Sequence, residues 1–307
     1  MSRIAEVLLP LPLPEAFDYA EPEGMDLRVG ELVAVPLGSR MVSGAVVGLK
    51  DARGHNRPLK EVAARHAEPA LTAGALEFID WAARYAVDSP GQPLAIVLRG
   101  ARAPKPKPEK VLKTTGSRPG RMTPAREKVL AAAEAGPLSP PALAAAAGVS
   151  GAVLKGLIAE GALAIELRET VAAFPEPDHG RPGPPLNPSQ AAAAAELKAL
   201  LALGGFQAAL IDGVTGSGKT EVYLETVAAV LAADPGAQVL VLLPEIALTQ
   251  AVIARFCERF GAEPGEWHSA VTPPRRRRVW EAVATGRCRI VIGARSALFL
   301  PFRKLAL

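Results

Sequence analysis

Gly213-Val214-Thr215-Gly216-Ser217-Gly218-Lys219-Thr220 fits the phosphate-binding pattern GxxxxGK[ST], and the residues on either side of it decide the fold. Ala208–Ile211 before it is a short apolar run that predicts a buried strand, and Glu221–Ala233 after it has the spacing of a helix. Strand, glycine-rich turn and helix in that order aim successive backbone N–H groups at one point near a helix N-terminus, where an anion is stabilised. Gly213, Gly216 and Gly218 allow positive φ and close backbone approach. Lys219 is then placed to reach the β and γ phosphates of a nucleoside triphosphate, and Thr220 to put its hydroxyl on Mg2+. The residues expected around the nucleotide are therefore Gly213 through Thr220, with Lys219 and Thr220 carrying the chemistry.

Downstream, apolar runs alternate with helical spacing. Val239–Leu243 predicts a strand, Gln250–Phe260 a helix, Pro274–Thr285 a helix and Arg289–Ile292 a strand. That alternation predicts a parallel α/β sheet in which the segments past the carboxyl ends of the strands line one crevice. Pro244–Thr249 and Gly293–Phe299 are two such segments, polar and irregular, which suits contacts made through the backbone. A nucleotide hydrolase of this kind also needs an apolar strand ending in Asp to hold Mg2+. The one Asp after Lys219 is Asp234, in the turn Asp234-Pro235-Gly236, and no strand leads into it. Glu245 follows an apolar run, but Pro244 intervenes and that run comes directly after the loop's own helix, so it is a different element. The sequence stops at Leu305-Ala306-Leu307 while entering another apolar stretch, and is expected to be part of a longer protein.

The 307 residues are 49% hydrophobic and 21% charged, the balance of a globular chain and not of a disordered one. That length predicts two domains or a few small ones. Apolar runs are broken well before the ~18 residues of a membrane span. Met1–Glu6 lacks a basic head with an apolar core, so a cytoplasmic protein with no membrane partner is expected. Cys257 and Cys288 have no CxxC spacing, and neither a disulfide nor a zinc role is expected of them. The net charge of +4 permits a nucleic-acid partner without requiring one.

Residues 1–103 alternate short β-rich runs (Ile4–Leu9, Glu31–Val35, Met41–Gly48) with glycine turns, which predicts a small, strongly bent sheet or barrel, and Leu71–Tyr85 has the pattern of an amphipathic helix. Residues 104–121 are rich in Pro, Lys and Arg, as expected of an extended, semi-rigid basic tether whose charge is either solvated or helps to hold DNA. Residues 122–170 have the rhythm of a winged helix: Thr123-Pro124 opens a helix to Ala135, Ser139–Ala147 is a second, Gly148–Ser150 a turn, Ala152–Glu160 a third, and a wing starts at Gly161. The third helix carries only Lys155 as a base, so a spacer or shape-reading role is expected ahead of base readout. Residues 171–186 form a Pro-rich connector into a truncated nucleotide-binding lobe, residues 187–307.

GVTGSGKTEVY (213–223), LPEIALT (243–249) and IGARSALFLPF (292–302) resemble the first motor lobe of superfamily 2 helicases, and specifically the replication-restart family of primosomal protein N′ (PriA). LPLPEAFDY (11–19) and VPLG (35–38) look like that family's DNA 3′-end-binding domain, so the resemblance covers essentially the whole chain. It implies a multidomain fold: a small β-rich DNA-end-binding domain, a winged helix, then an incomplete α/β parallel-sheet P-loop (RecA-like) lobe. It implies an ATP-dependent 3′ to 5′ DNA helicase, nucleoid-associated, that recognises stalled or abandoned replication forks and starts primosome assembly. The cofactors implied are ATP and Mg2+, the ligands branched and single-stranded DNA, and the partners primosome proteins and single-stranded DNA-binding protein. Zinc belongs, by the same resemblance, to a cysteine-rich segment absent from this sequence. The Asp-Glu-Glu-His box and the second lobe with its arginine finger are absent too, so hydrolysis by this chain alone is expected to fall at least ~10³-fold.

Phe17, Asp18, Tyr19, Gly38 and Lys60 match positions that in the family surround the leading-strand 3′ end. An aromatic can stack the terminal base, while a carboxylate accepts from a free 3′ hydroxyl and repels a 3′ phosphate. Phe17 otherwise packs in the core. Pro244 to Thr249 and Arg295-Ser296 match segments that touch single-stranded phosphates in related motors. Gln190 lies where such motors place an adenine-reading glutamine, and is otherwise an exposed helix residue. His268 reads as packed or capping, and Arg275–Arg278 as a solvated helix face or a track for a DNA backbone. Two other readings stay open: another superfamily 2 DNA translocase, and a nucleotide-gated DNA-binding module that does not hydrolyse.

Overall fold

The alternating apolar positions of the first segment fold onto one another as a five-stranded sheet in the computed structural model, which describes residues 3–52, 58–104, 108–168, 174–244 and 250–307. The strands are β1 (Arg3–Leu8), β2 (Phe17–Ala20), β3 (Leu32–Leu37), β4 (Arg40–Asp51) and β5 (Ala64–Arg65), in the order β2-β1-β4-β3-β5, antiparallel throughout. A register shift between Glu6 and Val7 breaks the β1–β4 ladder, and such a bulge sharpens twist and bends the sheet over its core of Val7, Leu9, Tyr19, Val33, Val35 and Val46. The strands expected around Ile4, Glu31 and Met41 are all present.

Helix α1 (Ala73–Ala86) starts at Thr72, whose hydroxyl accepts from the Ala75 N–H at 3.2 Å. Helix α2 (Gly91–Ala101) has no strong signal in the sequence, because Gly91, Pro93 and Gly100 are poor helix formers. Packing explains them. A Cβ on Gly91 would lie 2.0 Å from the Leu11 carbonyl oxygen, and one on Gly100 would lie 2.4 Å from the Trp280 ring.

The stretch Lys105–Ala172 is a compact unit of its own. Strands β6 (Glu109–Thr114) and β7 (Leu163–Arg168) pair antiparallel, and α3 (Pro124–Glu134), α4 (Pro140–Ala147) and α5 (Gly151–Ala159) close over them around Leu112, Val129, Leu143, Leu154, Leu157 and Leu163. Part of the expected tether is thus a strand: Val111 and Leu112 bury their side chains, and a ladder partner outcompetes the solvated polyproline conformation. Residues 105–107 of the tether lie outside the described residues. Gly148 ends α4 at φ 65°, the left-handed conformation that glycine adopts without penalty.

The last segment contains α6 (Pro188–Leu203), α7 (Lys219–Ala233), β8 (Val239–Leu242), α8 (Gln250–Phe260), β9 (Gly265–Trp267), α9 (Pro273–Ala284) and β10 (Ile290–Gly293). The three strands form a parallel sheet in the order β8-β10-β9. The apolar stretch at the end of the sequence runs beside β8: the Gln238 N–H donates to the Lys304 carbonyl at 2.8 Å and the Leu240 N–H to the Leu307 carbonyl at 2.8 Å. The strand expected before the glycine-rich loop is absent: Ala208–Ile211 forms none, and Leu210 is 92% exposed. β propensity reports fit to a pleated, half-buried surface, and no described segment offers this run a ladder.

Met1–Pro104 and Ala173–Leu307 together make one compact unit. Its seam is a shared core in which Leu8, Leu32, Leu94 and Leu98 meet Trp267, Val279, Trp280 and Val283. The fully buried Trp280 fills the notch left at Gly100 and donates Nε1–H to the Val97 carbonyl at 2.8 Å. Gln238, also fully buried, spends its whole amide: Nε2 donates to the Val283 and Cys288 carbonyls at 3.1 and 2.9 Å, and Oε1 accepts from the Arg303 and Lys304 N–H groups at 2.8 and 3.0 Å. Among the described residues no single helix is long and apolar enough to cross a membrane.

Candidate functional site

Five residues of connection separate α7 from β8, and both pack into one core with α8 and β10. The helix therefore runs back against the sheet, and its N-terminus lies toward the carboxyl ends of β8 and β10. At that end the glycine-rich loop closes on itself. Gly216 and Gly218 sit at φ 82° and 81°, and the Ser217 N–H donates to the Val214 carbonyl at 3.2 Å. Gly218 is the N-cap of α7, and among the described residues no side-chain hydrogen bond caps that end of the helix. Lys219 curls back into the loop, where Nζ donates to the carbonyls of Gly213 at 2.5 Å and Val214 at 3.1 Å. Loop amides, uncapped helix terminus and inward lysine fit a triphosphate, and Thr220, in the first turn of α7, is the residue that would meet its Mg2+.

Gln190 is tied into this loop. It completes a capping box with Asn187, accepting from the Asn187 N–H at 2.9 Å, and its Nε2 donates to the Ser217 carbonyl at 2.9 Å. A Cβ on Gly218 would come within 2.1 Å of that Nε2. Gln190 is thus half-buried and joins the start of α6 to the end of the loop.

The carboxyl ends of the strands come together as the alternation implies. The Leu243 N–H donates to the Gly293 carbonyl at 3.0 Å, which sets exposed Pro244 beside the turn Arg295–Phe299 with its exposed Arg295 and half-buried Ser296. Thr249, with the rest of 245–249, lies outside the described residues.

In the first segment, β2 distributes the expected end-binding residues by strand alternation. Tyr19 points inward, 4% exposed, and its hydroxyl donates to the Pro36 carbonyl at 3.3 Å; burial pushes its phenol pKa up. Lys60 joins it, with Nζ donating to the Gly38 carbonyl at 3.5 Å and its own carbonyl accepting from the Ala20 N–H at 2.9 Å. Tyr19, Gly38 and Lys60 therefore converge. Phe17 keeps 37% of its surface exposed. Asp18 turns to the other face of β2, where Lys50 Nζ lies 3.7 Å from it and 2.7 Å from Glu6. Phe17, not Tyr19, retains an open ring.

The arginine run on α9 is not a uniform solvated face. Arg275 pairs with Glu263 and Glu266 at 2.5 and 2.6 Å, Arg276 lies over the Trp267 ring, Arg277 is buried against Glu68 and Glu281, and Arg278 stacks on Phe174. His268 is packed, 3.3 Å from Glu266. Both cysteines are free thiols; burial pushes Cys288 up to about 12. A surface feature unread in the sequence is the aromatic row Phe78, Trp81, Tyr85 along α1, stacked at 5.7 and 5.1 Å between ring centroids, with Trp81 and Tyr85 51% and 78% exposed. Its signal was the i, i+3, i+7 spacing, which also suits a core face.

Comparison with known proteins assigns both halves of this architecture. Residues 6–99 match the PriA 3′ DNA-binding domain (3′BD), and residues 187–305 match the DEAD/DEAH box helicase domain. The replication restart protein PriA of Rickettsia conorii is 31% identical over 309 residues, 99% of this chain and 36% of the relative. The protein of that name from Haemophilus influenzae is 48% identical over 120 residues, 39% of this chain and 16% of the relative. That from Rickettsia typhi is 50% identical over 98 residues, 32% of this chain and 15% of the relative. The chain spans about a third of the length of the first of these relatives. With an end-binding sheet and a helicase lobe sharing one core, and alignment along 99% of its length, the chain belongs to the PriA family of replication restart proteins.

Proposed function

We propose that the protein acts in an ATP-dependent 3′ to 5′ DNA helicase that recognises stalled or abandoned forks by a free leading-strand 3′ end and starts primosome assembly. The observation that carries this reading is the uncapped N-terminus of α7 beneath an inward-turned Lys219, in the same compact unit as the Tyr19–Gly38–Lys60 cluster. The amides of Gly216–Lys219 and the Lys219 ammonium bind the phosphates, Thr220 positions Mg2+, and Gln190 links that loop to the start of α6. ATP supplies the free energy of phosphoryl transfer. This chain alone binds nucleotide and DNA, and turnover by it is slow.

By the family resemblance, Phe17 stacks on the terminal base and Asp18, which leaves β2 on the opposite face beside Lys50, accepts from its 3′ hydroxyl, while Pro244–Thr249 and Arg295-Ser296 contact single-stranded phosphates. We divide the chain into an end-binding domain (1–103), a basic linker (104–121), a winged helix (122–170), a connector (171–186) and the first motor lobe (187–307). Three helices over the β6–β7 pair support the winged-helix reading of the second unit. Primosome proteins and single-stranded DNA-binding protein are its partners, in the cytoplasm at the nucleoid.

The test is binding to a model fork measured by fluorescence anisotropy. A nascent leading strand ending in a 3′ hydroxyl should bind more tightly than one ending in a 3′ phosphate, and Asp18→Ala should erase the difference. Indifference of the unaltered protein to the 3′ group would sink the end-binding reading.

A further inference from the structure

We propose that a second nucleic-acid contact, separate from the end-binding and nucleotide sites, is the arginine-lined cleft between α2 and the entry to α9, and that it holds consecutive phosphates of the bound strand. The cleft has a volume of about 530 Å3 and is walled by Ala95, Arg99 and Arg102 on one side and Val271, Pro273 and Arg276 on the other. No carboxylate lines it among the described residues. The nearby acids are committed elsewhere, Glu68 and Glu281 to Arg277, and Glu263 and Glu266 to Arg275. Arg102 donates through Nη2 to the Ser43 carbonyl at 2.9 Å, and Arg276 through Nη2 to the His268 carbonyl at 3.0 Å, which orients both heads and leaves the remaining donors of each fork. Arg99 has an exposed side chain one turn before Arg102.

Three guanidiniums around one concavity, with no counter-charge built in, repel one another, and an anion relieves that repulsion. Partial burial pulls the Arg102 pKa down. A planar fork suits the bidentate geometry of phosphate, and the i, i+3 spacing of Arg99 and Arg102 (~5–6 Å between Cβ atoms) can present two forks to successive phosphates. Position selects a nucleic-acid strand. Ser43, which anchors Arg102, lies three residues, ~10 Å, up β4 from the Arg40 end of the Gly38 turn, a distance that a short stretch of nucleic-acid backbone covers. A strand whose end sits at the Lys60–Gly38 cluster is thus within reach of the cleft.

This inference rests on the DNA-binding reading above, and the experiment separates the two. Fork binding is measured by anisotropy across a series of salt concentrations for the intact protein, Arg99→Ala, the Arg99→Ala/Arg102→Ala double variant and the Arg99→Lys/Arg102→Lys variant, with thermal melting as the check on folding. Each phosphate deprived of its arginine should reduce the slope of log affinity against log salt by about 0.7–0.9. The double alanine variant should therefore drop by about 1.5 in slope and at least tenfold in affinity at physiological salt, the single variant by about half of that slope, and the lysine variant should recover most of it. The preference for a 3′ hydroxyl over a 3′ phosphate should persist in all of them. Unchanged slope and affinity in Arg99→Ala and in a folded double variant would overturn the cleft while leaving the end-binding reading intact. Failure of the unaltered protein to bind a fork at all would remove both.

Discussion

Lys219 is held by its own loop: Nζ donates to the carbonyls of Gly213 and Val214, the position from which, under the proposed function, it would exchange those carbonyls for phosphate oxygens. Replacing it removes a charge-assisted contact worth about 1.5–3 kcal/mol. Lys219→Ala is expected to weaken Mg-ATP binding roughly 10- to 100-fold by titration calorimetry, with no comparable loss in melting temperature. Gly218 is bound to glycine twice over, by φ 81° and by the Gln190 amide that occupies the space of a Cβ.

Two helices carry local features that the surrounding structure turns in opposite directions. Helix α1 ends at Val87, a β-branched residue at φ 54° and 95% exposed, so the position has backbone strain and no packing to offset it. Val87→Gly should stabilise the protein by about 0.5–1 kcal/mol, the left-handed strain relieved exceeding the extra freedom of the unfolded chain, as a rise of a few degrees in melting temperature. In α2 the same residue type must stay. Helix propensity alone favours Gly100→Ala by roughly 0.5–1 kcal/mol, but the new methyl would meet Trp280 at 2.4 Å, and overpacking of that kind costs about 1–3 kcal/mol. A net loss of stability in denaturant titration is the expected result.

The N-terminal sheet and the helicase-like lobe form one compact unit, and their seam combines apolar burial with an ion pair that joins them. Burial alone would push the Glu68 carboxyl up, but the hydrogen bond and charge of Arg277 overcome it and hold the pKa below the ordinary value of 4.5. Glu225, against Arg259, and Glu21, against Arg3, behave alike. A carboxylate with a depressed folded pKa stabilises the folded state above its unfolded pKa, and that stability fades as pH falls through the folded value. Melting temperature should therefore change little from pH 8 to pH 6 and drop below about pH 4.5. Glu68→Gln should shallow the acid decline, and an acid profile identical to that of the unaltered protein would remove the seam ion pair from the account.

Much of the motor lobe was legible locally. The phosphate loop is a contiguous pattern whose chemistry depends on neighbours in the chain, and α7, β8, α8, α9 and β10 appear close to where apolar spacing placed them, because periodicity reports which face an element buries. The same holds for the first, third and fourth strands of the end-binding sheet. Long-range pairing decided the rest. Residues 109–114, mostly polar, became a strand because β7 lies in register with them, while the wholly apolar Ala208–Ile211 formed no strand among the described residues and leaves Leu210 exposed. The four arginines of α9 looked alike as a charge run, and only the neighbours that the fold supplied gave them separate roles: Glu263 and Glu266 for Arg275, Trp267 for Arg276, Glu68 and Glu281 for Arg277, Phe174 for Arg278. The sequence by itself thus determined most elements of the helicase lobe and the phosphate-loop pattern, which depend on adjacent residues. Tertiary structure alone decided which charges are paired and which strands have partners, because those depend on residues up to two hundred positions away.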